Sequence, residues 1–116
     1  MVRKSNEKTV ERVEHKFGAD GFITVRNLIN SDKELNGKGR VFAHTTVAPG
    51  SGIGYHMHNG DTEIYYVVSG SAEYNDNGKI TTISAGDVTF TPSGTGHGIN
   101  NKGSEPLEII ALIIYS

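Results

Sequence analysis

Short apolar stretches, separated by glycine-containing turns, follow one another through most of the chain after residue 20. Segments rich in β-branched and aromatic residues predict strands at residues 22–29, 41–47, 55–58, 63–68, 72–74, 79–83, 88–91, 97–100 and 107–115. Asn59-Gly60-Asp61 and Asp76-Asn77-Gly78 are typical of tight hairpin turns. Many short strands joined by turns predict an all-β sandwich or barrel.

The last predicted strand is apolar on both of its faces. Alternate side chains of a strand point to opposite sides of a sheet. One set comprises Leu107, Ile109, Ala111 and Ile113, and the other comprises Ile110, Leu112 and Ile114. A strand of this kind is expected to be buried on both sides. A second sheet layer or a partner subunit would cover the second face, and we expect a homodimer.

The first 20 residues are charged and carry a weaker pattern. Val10, Val13 and Phe17 fall at helix-like spacing, although three positions make a weak signal. A short helix, an extended arm and a frayed end are all compatible with this segment. We therefore divide the chain into an N-terminal arm at residues 1–20 and a barrel at residues 21–116.

Length and composition narrow the class of protein. A chain of 116 residues fits one domain, and its formal net charge of −2 predicts no attraction to nucleic acid or to an anionic membrane. Cysteine is absent, which excludes disulfides and thiolate sites. Residues 1–10 lack the apolar core of a signal peptide, and we expect a cytoplasmic protein.

Candidate chemistry is concentrated in three histidines and one glutamate. His56 and His58 are two positions apart on a short predicted strand, so they share a face at roughly 6.5–7 Å. A hairpin through the following turn would return Glu63 beside them, within cross-strand reach. His97 is distant in sequence and would join them only if the sheet curls into a barrel.

Each of these signals has an ordinary alternative. A His-x-His pair is common on exposed strands, a lone glutamate is more often a solvated charge, and His97 among glycines fits a simple loop. Glu63, however, begins an apolar strand. Burying an inward carboxylate there costs roughly several kcal/mol unless the carboxylate is paired. The joint spacing favours a metal site.

The spacing resembles the two sequence motifs of the cupin superfamily. The first is Gly50-x5-His56-x-His58-x4-Glu63-x6-Gly70, and the second is Gly86-x5-Pro92-x-Gly94-x2-His97-x3-Asn101. Both are complete and in the expected order over residues 50–101. The short gap between them is similar to that of small single-domain microbial cupins of the oxalate-decarboxylase-like type.

The resemblance implies an all-β fold, a jelly-roll barrel (double-stranded β-helix) with a short N-terminal arm or helix. It also implies one divalent metal ion inside the barrel, held by His56, His58, Glu63 and His97. Three nitrogens and one carboxylate suit Mn, Fe, Co, Ni or Zn, and cupins of this kind often hold Mn or Fe. The glycines, Pro92 and Asn101 carry over as structural positions.

Strand alternation suggests what surrounds the metal. If Glu63 points inward, Tyr65 does so too and Tyr66 points outward. Tyr65 is then a candidate proton donor or a pocket residue, against the alternative of a core tyrosine with its hydroxyl at the rim. Arg26 and Arg40 are candidate anchors for a carboxylate substrate, and His44 is a candidate pocket residue. Strand parity does not place either arginine, and the ordinary alternatives are a solvated surface arginine and a satisfied or exposed His44.

Three functions remain open at this point. The first is a metal-dependent enzyme acting on a small polar metabolite such as a carboxylic acid, decarboxylase-like or dioxygenase-like. The second is a non-catalytic module that binds or senses a small ligand. The third is a barrel without metal. An Arg26 or Arg40 that points inward would favour acidic substrates, and a wholly apolar pocket would favour a dioxygenase-type substrate.

Overall fold

A computed structural model describes all residues, 1–116. Ten strands form, and we number them in chain order. They are β1 (Val10–Glu14), β2 (Phe22–Asn27), β3 (Gly39–Val47), β4 (Gly52–Met57), β5 (Asp61–Ser69), β6 (Ser71–Asp76), β7 (Lys79–Ser84), β8 (Val88–Thr91), β9 (Gly96–Asn100) and β10 (Leu107–Tyr115). Three 3₁₀ turns lie at Ser5–Glu7, Lys16–Gly18 and Asp32–Leu35.

The strands are arranged in two antiparallel sheets that face one another. The larger sheet has the order β1-β2-β3-β10-β5-β8, and the smaller has the order β4-β9-β6-β7. Neighbours in space are mostly distant in sequence, which is the arrangement of a jelly-roll. The all-β jelly-roll predicted above is confirmed, with strand positions close to those expected.

The core lies between the two sheets. Its largest fully buried side chains include Leu107 and Ile109 of β10, Val47 of β3, Val67 of β5 and Tyr74 of β6. They occupy alternate positions, so one face of every strand contributes to the interior. In β5 the exposed fraction is 3% for Tyr65 and 47% for Tyr66, which confirms the inward and outward assignment of these two residues.

One predicted hairpin is present and the other is wrong. β6 and β7 pair with Asp76 opposite Lys79, and Asn77 and Gly78 both have positive φ, as a two-residue hairpin turn requires. The Asn59-Gly60 turn does not join two strands of one sheet. β4 pairs with β9, whereas β5 pairs with β10 and β8, so the chain crosses here from one sheet to the other.

The N-terminal residues contribute a strand to the larger sheet. Val10–Glu14 pairs antiparallel with β2, placing Val13 opposite Ile23. The Lys16–Gly18 turn then crosses to β4 of the smaller sheet, where the backbone of Gly54 lies so close that a Cβ would overlap the carbonyl oxygen of Phe17. This segment therefore spans the open end of the barrel. The division at residues 20 and 21 stays a prediction.

The outer faces of the two sheets differ in character. On the larger sheet, the outer side chains of β5 and β8 include exposed Tyr66, Val68, Val88 and Phe90. On the other side of β5, Ile110 and Leu112 of β10 are only half-buried, so the chain itself does not cover the second face of this strand. The smaller sheet presents Glu73, Asn75 and Thr82, together with exposed Ile80 opposite Asn75. No helix in the structure has the length and apolar character needed to cross a membrane.

Candidate metal centre

Four side chains from both sheets meet at one end of the barrel interior. His56 lies on β4, His58 follows that strand directly, Glu63 lies on β5, and His97 lies on β9. One ligand atom from each lies within 4.8 Å of the others. We call these residues (His56, His58, Glu63 and His97) the His/Glu cluster. All four predicted residues are brought together.

The route by which Glu63 arrives differs from the one expected. No hairpin pairs it with the histidines, because β4 and β5 belong to different sheets. Glu63 instead points across the interior, since its strand turns the odd-numbered side chains inward. The two sheets must therefore pack face to face before the carboxylate can meet the imidazoles.

The three imidazoles face one another with the same ring nitrogen. Nε2 of His97 lies 3.1 Å from Nε2 of His58 and 3.1 Å from Nε2 of His56. Oε1 of Glu63 lies 3.0 Å from Nε2 of His97 and 3.2 Å from Nε2 of His58. Atoms that share one ion at bonds of about 2.1 Å lie roughly 3.0 to 3.4 Å apart. The spacing fits a single ion.

The opposite nitrogen of two rings is held by an acceptor. Nδ1 of His56 donates to the carbonyl oxygen of Gly54 at 2.8 Å, and Nδ1 of His58 donates to Oδ1 of Asp61 at 2.8 Å. Because both partners only accept, Nδ1 carries the proton and Nε2 of each neutral ring has a free lone pair. Burial lowers the pKa of His56 and so favours that neutral form.

His97 has its own supporting side chains. Its Nδ1 lies 2.9 Å from the hydroxyl oxygen of Tyr74 and 2.9 Å from that of Thr91. The ring of Tyr65 stacks on the imidazole at 5.0 Å between centroids and 15° between planes. His97 is fully buried, so these contacts fix its ring in place. Partners of this kind orient metal-binding histidines and tune their basicity.

Asp61 connects the cluster to the rim of the barrel. Its second carboxylate oxygen accepts a hydrogen bond from Nε of Arg40 at 3.0 Å. Burial acts to raise the pKa of Asp61, but the hydrogen bonds from His58 and Arg40 outweigh it and hold the pKa below its usual value. An ionised Asp61 is the acceptor that His58 needs.

A cation explains this arrangement better than hydrogen bonds within the cluster. The Nε2 atoms of His56 and His58 carry lone pairs, and the nearest oxygen belongs to the carboxylate of Glu63. Several hydrogen-bond acceptors therefore lie close together in a buried space. Unpaired buried acceptors are costly. One divalent ion would satisfy them together, and three nitrogens with one carboxylate suit Mn, Fe, Co, Ni or Zn.

A cavity of about 460 Å³ opens from the cluster toward solvent. Its walls combine the inner face of the larger sheet with the Lys16–Gly18 turn and the end of β4. Phe17 closes one side of it, and its ring stacks on His56 at 4.0 Å between centroids. The His/Glu cluster is thus reachable by a small molecule.

The other residues singled out in the sequence lie on both faces of the larger sheet. Tyr65 lines the cavity, and burial together with the charge of Glu63 raises its pKa well above the usual 10. Arg40 lies at the rim but is paired with Asp61. Arg26 and His44 lie on the outer face, where Arg26 donates to Thr46 and His44 contacts Glu108. His15 is exposed and outside the cluster.

Sequence reasoning missed four residues that shape the site: Asp61, Tyr74, Thr91 and Phe17. Asp61 carried a usable signal, because it lies two positions before Glu63 on the same strand face. Tyr74 and Thr91 lie on strands of different sheets, and no spacing in the sequence relates them to His97. The sequence relates Phe17 only to a helix-like spacing, whereas the structure has a strand at Val10–Glu14 and places Phe17 in the turn after it.

Comparison with known proteins is consistent with the geometry. A family model described as "Cupin domain" matches residues 43–115. An "Oxalate-binding protein" of Thermotoga maritima is 43% identical over 114 residues, which are 98% of this chain and 93% of that protein. The crystal structure of a predicted oxalate decarboxylase from Thermotoga maritima has a TM-score of 0.94 at 42% identity and covers 100% of both chains.

A second solved structure extends the likeness of fold. A conserved protein with a double-stranded β-helix domain from Klebsiella pneumoniae has a TM-score of 0.67 at 27% identity. It covers 78% of this chain and 75% of that one. The two-sheet architecture is therefore shared with another double-stranded β-helix protein.

Proposed function

The chain belongs to the cupin family, and on that premise we propose that its His/Glu cluster holds one divalent metal ion and, with it, a small carboxylic acid. One observation carries the proposal: three Nε2 atoms and one carboxylate oxygen converge at the floor of a cavity open to solvent. The Thermotoga maritima relative that binds oxalate supports the choice of a carboxylic acid.

Manganese and iron are the metals we propose first, with zinc, nickel and cobalt as alternatives. When bound, the ion supplies a Lewis-acidic centre with open positions for a ligand. Three neutral imidazoles and one carboxylate leave a net positive charge on a divalent ion, which favours an anionic ligand. Arg40, already neutralised by Asp61, is not needed as the anchor for the acid.

The chain's own residues do three things at this site. Hydrogen bonds on Nδ1 keep the rings of His56 and His58 in the orientation that turns Nε2 toward the cavity floor. The apolar inner face of the larger sheet reduces the water around the ligand. The Tyr65 phenol, with its pKa raised, keeps its proton and can donate a hydrogen bond inside the cavity.

The test begins with metal content. The purified chain is stripped, reloaded with Mn²⁺ or Fe²⁺, and analysed for bound metal, and oxalate binding is then measured by calorimetry on both forms. About one metal per chain and oxalate binding only in the loaded form are expected. Less than about a tenth of an equivalent after reloading would contradict the proposal and support a barrel without metal.

Turnover by the same site is the second candidate function, decarboxylase-like or dioxygenase-like. The observation that favours it is the buried, protonated Tyr65 beside Glu63, since a hydroxyl there can donate a proton or a hydrogen bond to a reacting acid. Product formation from oxalate and other small acids is measured for the parent and for Tyr65→Phe. Equal metal content but loss of turnover in the variant would support catalysis, and no turnover in the parent would leave a binding module.

We also propose that two copies associate through the outer face of the larger sheet. Its outer face groups four exposed apolar side chains on two neighbouring strands, whereas the smaller sheet exposes Ile80 among the polar Glu73, Asn75 and Thr82. Contiguous exposed apolar patches of this kind mark protein interfaces. A symmetric pair would cover the outer face of β10 and so bury both sides of that strand. A cytoplasmic location stays a prediction.

A further inference from the structure

Three inward-facing valines, which the core leaves partly uncovered, form the apolar part of one cavity wall. Val13, Val25 and Val41 lie on β1, β2 and β3 and pack against the core cluster, yet each is only half-buried. Further along the same inner face, Val47 and Ile109 are fully buried. The uncovered part of the three valines lines the cavity above the His/Glu cluster.

The opposite side of the cavity mouth is also apolar. Phe17 and Met57 line it, with exposed fractions of 55% and 49%. Contact of this apolar surface with water is unfavourable, and exposed apolar patches in cavities are typical of ligand sites. Polar side chains are also part of the lining: Glu11 lies directly opposite Val25 on β1, and Asn27 and Thr45 lie on the same inner face.

The size of the cavity exceeds what oxalate requires. About 460 Å³ lies in the range of pockets that enclose drug-sized molecules. Oxalate consists of two carboxylates and has no apolar atoms to place against the valines. A ligand that uses the whole cavity therefore needs a short acidic head and an apolar tail.

We infer that the cavity takes 2-oxo acids with an unbranched aliphatic tail of two to four carbons. The 2-oxo acid head keeps two adjacent oxygens, as oxalate does, and lies at the His/Glu cluster. The tail lies between the wall of Val13, Val25 and Val41 and the side formed by Phe17 and Met57. This inference rests on the proposed function, because the head group requires the metal centre.

If the tail packs against these valines, affinity should depend on the number of carbons in the ligand tail. Each methylene that leaves water for an apolar surface contributes about 0.8 kcal/mol, which corresponds to about a fourfold gain in affinity. Pyruvate, 2-oxobutanoate, 2-oxopentanoate and 2-oxohexanoate share one head group and differ only in the tail. Affinity should rise about fourfold at each step until the tail reaches the rim.

Calorimetry on the Mn-loaded full chain tests this series, with oxalate as the reference ligand. The variant V25T/V41T places hydroxyls in the wall at nearly constant volume, and threonine is well tolerated in strands. The rise per methylene is expected to fall below twofold in this variant, and oxalate affinity is measured in parallel. Val88→Thr, on the outer face of the larger sheet, is the matched control and should keep the parent's rise.

The outcomes separate this inference from the proposed function. Oxalate binding without any gain from pyruvate to 2-oxohexanoate would overturn the inference and leave the metal-centre proposal standing. A gain that is unchanged in V25T/V41T would also overturn it, because the tail would then lie elsewhere. Failure of the Mn-loaded parent to bind both oxalate and pyruvate would overturn the two together.

Discussion

Phe17 stacks on the imidazole of His56, with 4.0 Å between ring centroids and 14° between ring planes. The backbone of Phe17 is left-handed, at φ 51° and ψ 36°, a conformation that costs a non-glycine residue about 1–2 kcal/mol. Gly54 permits the contact, because any side chain there would collide with the backbone of Phe17. A strained turn thus holds an aromatic ring against one residue of the His/Glu cluster.

Phe17→Ala should therefore weaken metal retention without removing a ligand atom. Aromatic stacking of this kind contributes about 0.5–1.5 kcal/mol, so the rate of metal loss to a chelator should rise roughly twofold to thirteenfold. Phe17→Tyr keeps the ring and should restore the parent rate, and Phe90→Ala on the outer face is the control. Parent-like metal loss in Phe17→Ala would show that the stack is incidental.

His58→Ala should remove most of the bound metal, whereas His15→Ala should leave metal content unchanged. His58 is buried within the cluster and His15 is exposed outside it. A ligand present at 100 times its Kd stabilises the folded state by about 2.7 kcal/mol, so metal should raise the parent's Tm by roughly 10 °C. Thermal scans with and without Mn²⁺ check this. Similar metal content in both variants would show that the ligand assignment is wrong.

Asp61→Asn should lower metal affinity although Asp61 is not a proposed ligand. The change weakens the acceptor for Nδ1 of His58 and the ion pair with Arg40. Loss of such a supporting carboxylate typically lowers metal affinity by roughly 10-fold to 100-fold. Competition against a chelator measures the change. Asp87→Asn is the matched control, because Asp87 lies outside the cluster and accepts a hydrogen bond from the backbone of Ser84 in a turn. Equal metal affinities in the two variants would contradict the role assigned to Asp61.

The proposed dimer predicts a mass near twice the chain's 12.5 kDa. Light scattering coupled to size-exclusion chromatography measures it directly. The variant Y66K/F90E places charges on the exposed outer face of the larger sheet and should yield monomers. Thr82→Lys, on the outer face of the smaller sheet, should stay dimeric. A monomeric parent at high concentration would refute the dimer.

Glu34 should contribute to stability at neutral pH but not in acid. Its carboxylate accepts two hydrogen bonds from Arg3, at 3.1 Å and 2.6 Å, and this contact lowers the pKa of Glu34. A lowered pKa in the folded state gives stability above the carboxyl's unfolded pKa, and that stability is lost as pH falls through the folded pKa. The Tm difference between the parent and Glu34→Gln should shrink between pH 6 and pH 3. A constant difference would show that the pair is not responsible.

The sequence by itself determined nine of the ten strands (all except Val10–Glu14), the inward position of Tyr65, the hairpin at Asn77-Gly78 and the members of the His/Glu cluster. These follow from local rules, since strand alternation has a period of two and turn residues act over three or four positions. The cluster was found because its motifs combine two such local patterns with a family resemblance.

Only the tertiary structure decided how Glu63 reaches the histidines, which side chains support their rings, and that Phe17 covers His56. Several of those contacts join elements that are distant in sequence: Thr91 reaches His97 from the facing sheet, and Tyr74 reaches it from the neighbouring strand of the same sheet. They depend on how two sheets pack across a closed barrel, and sequence spacing does not encode the distance between residues on facing sheets. Local pattern therefore gave the wrong hairpin at Asn59-Gly60, where the chain changes sheet.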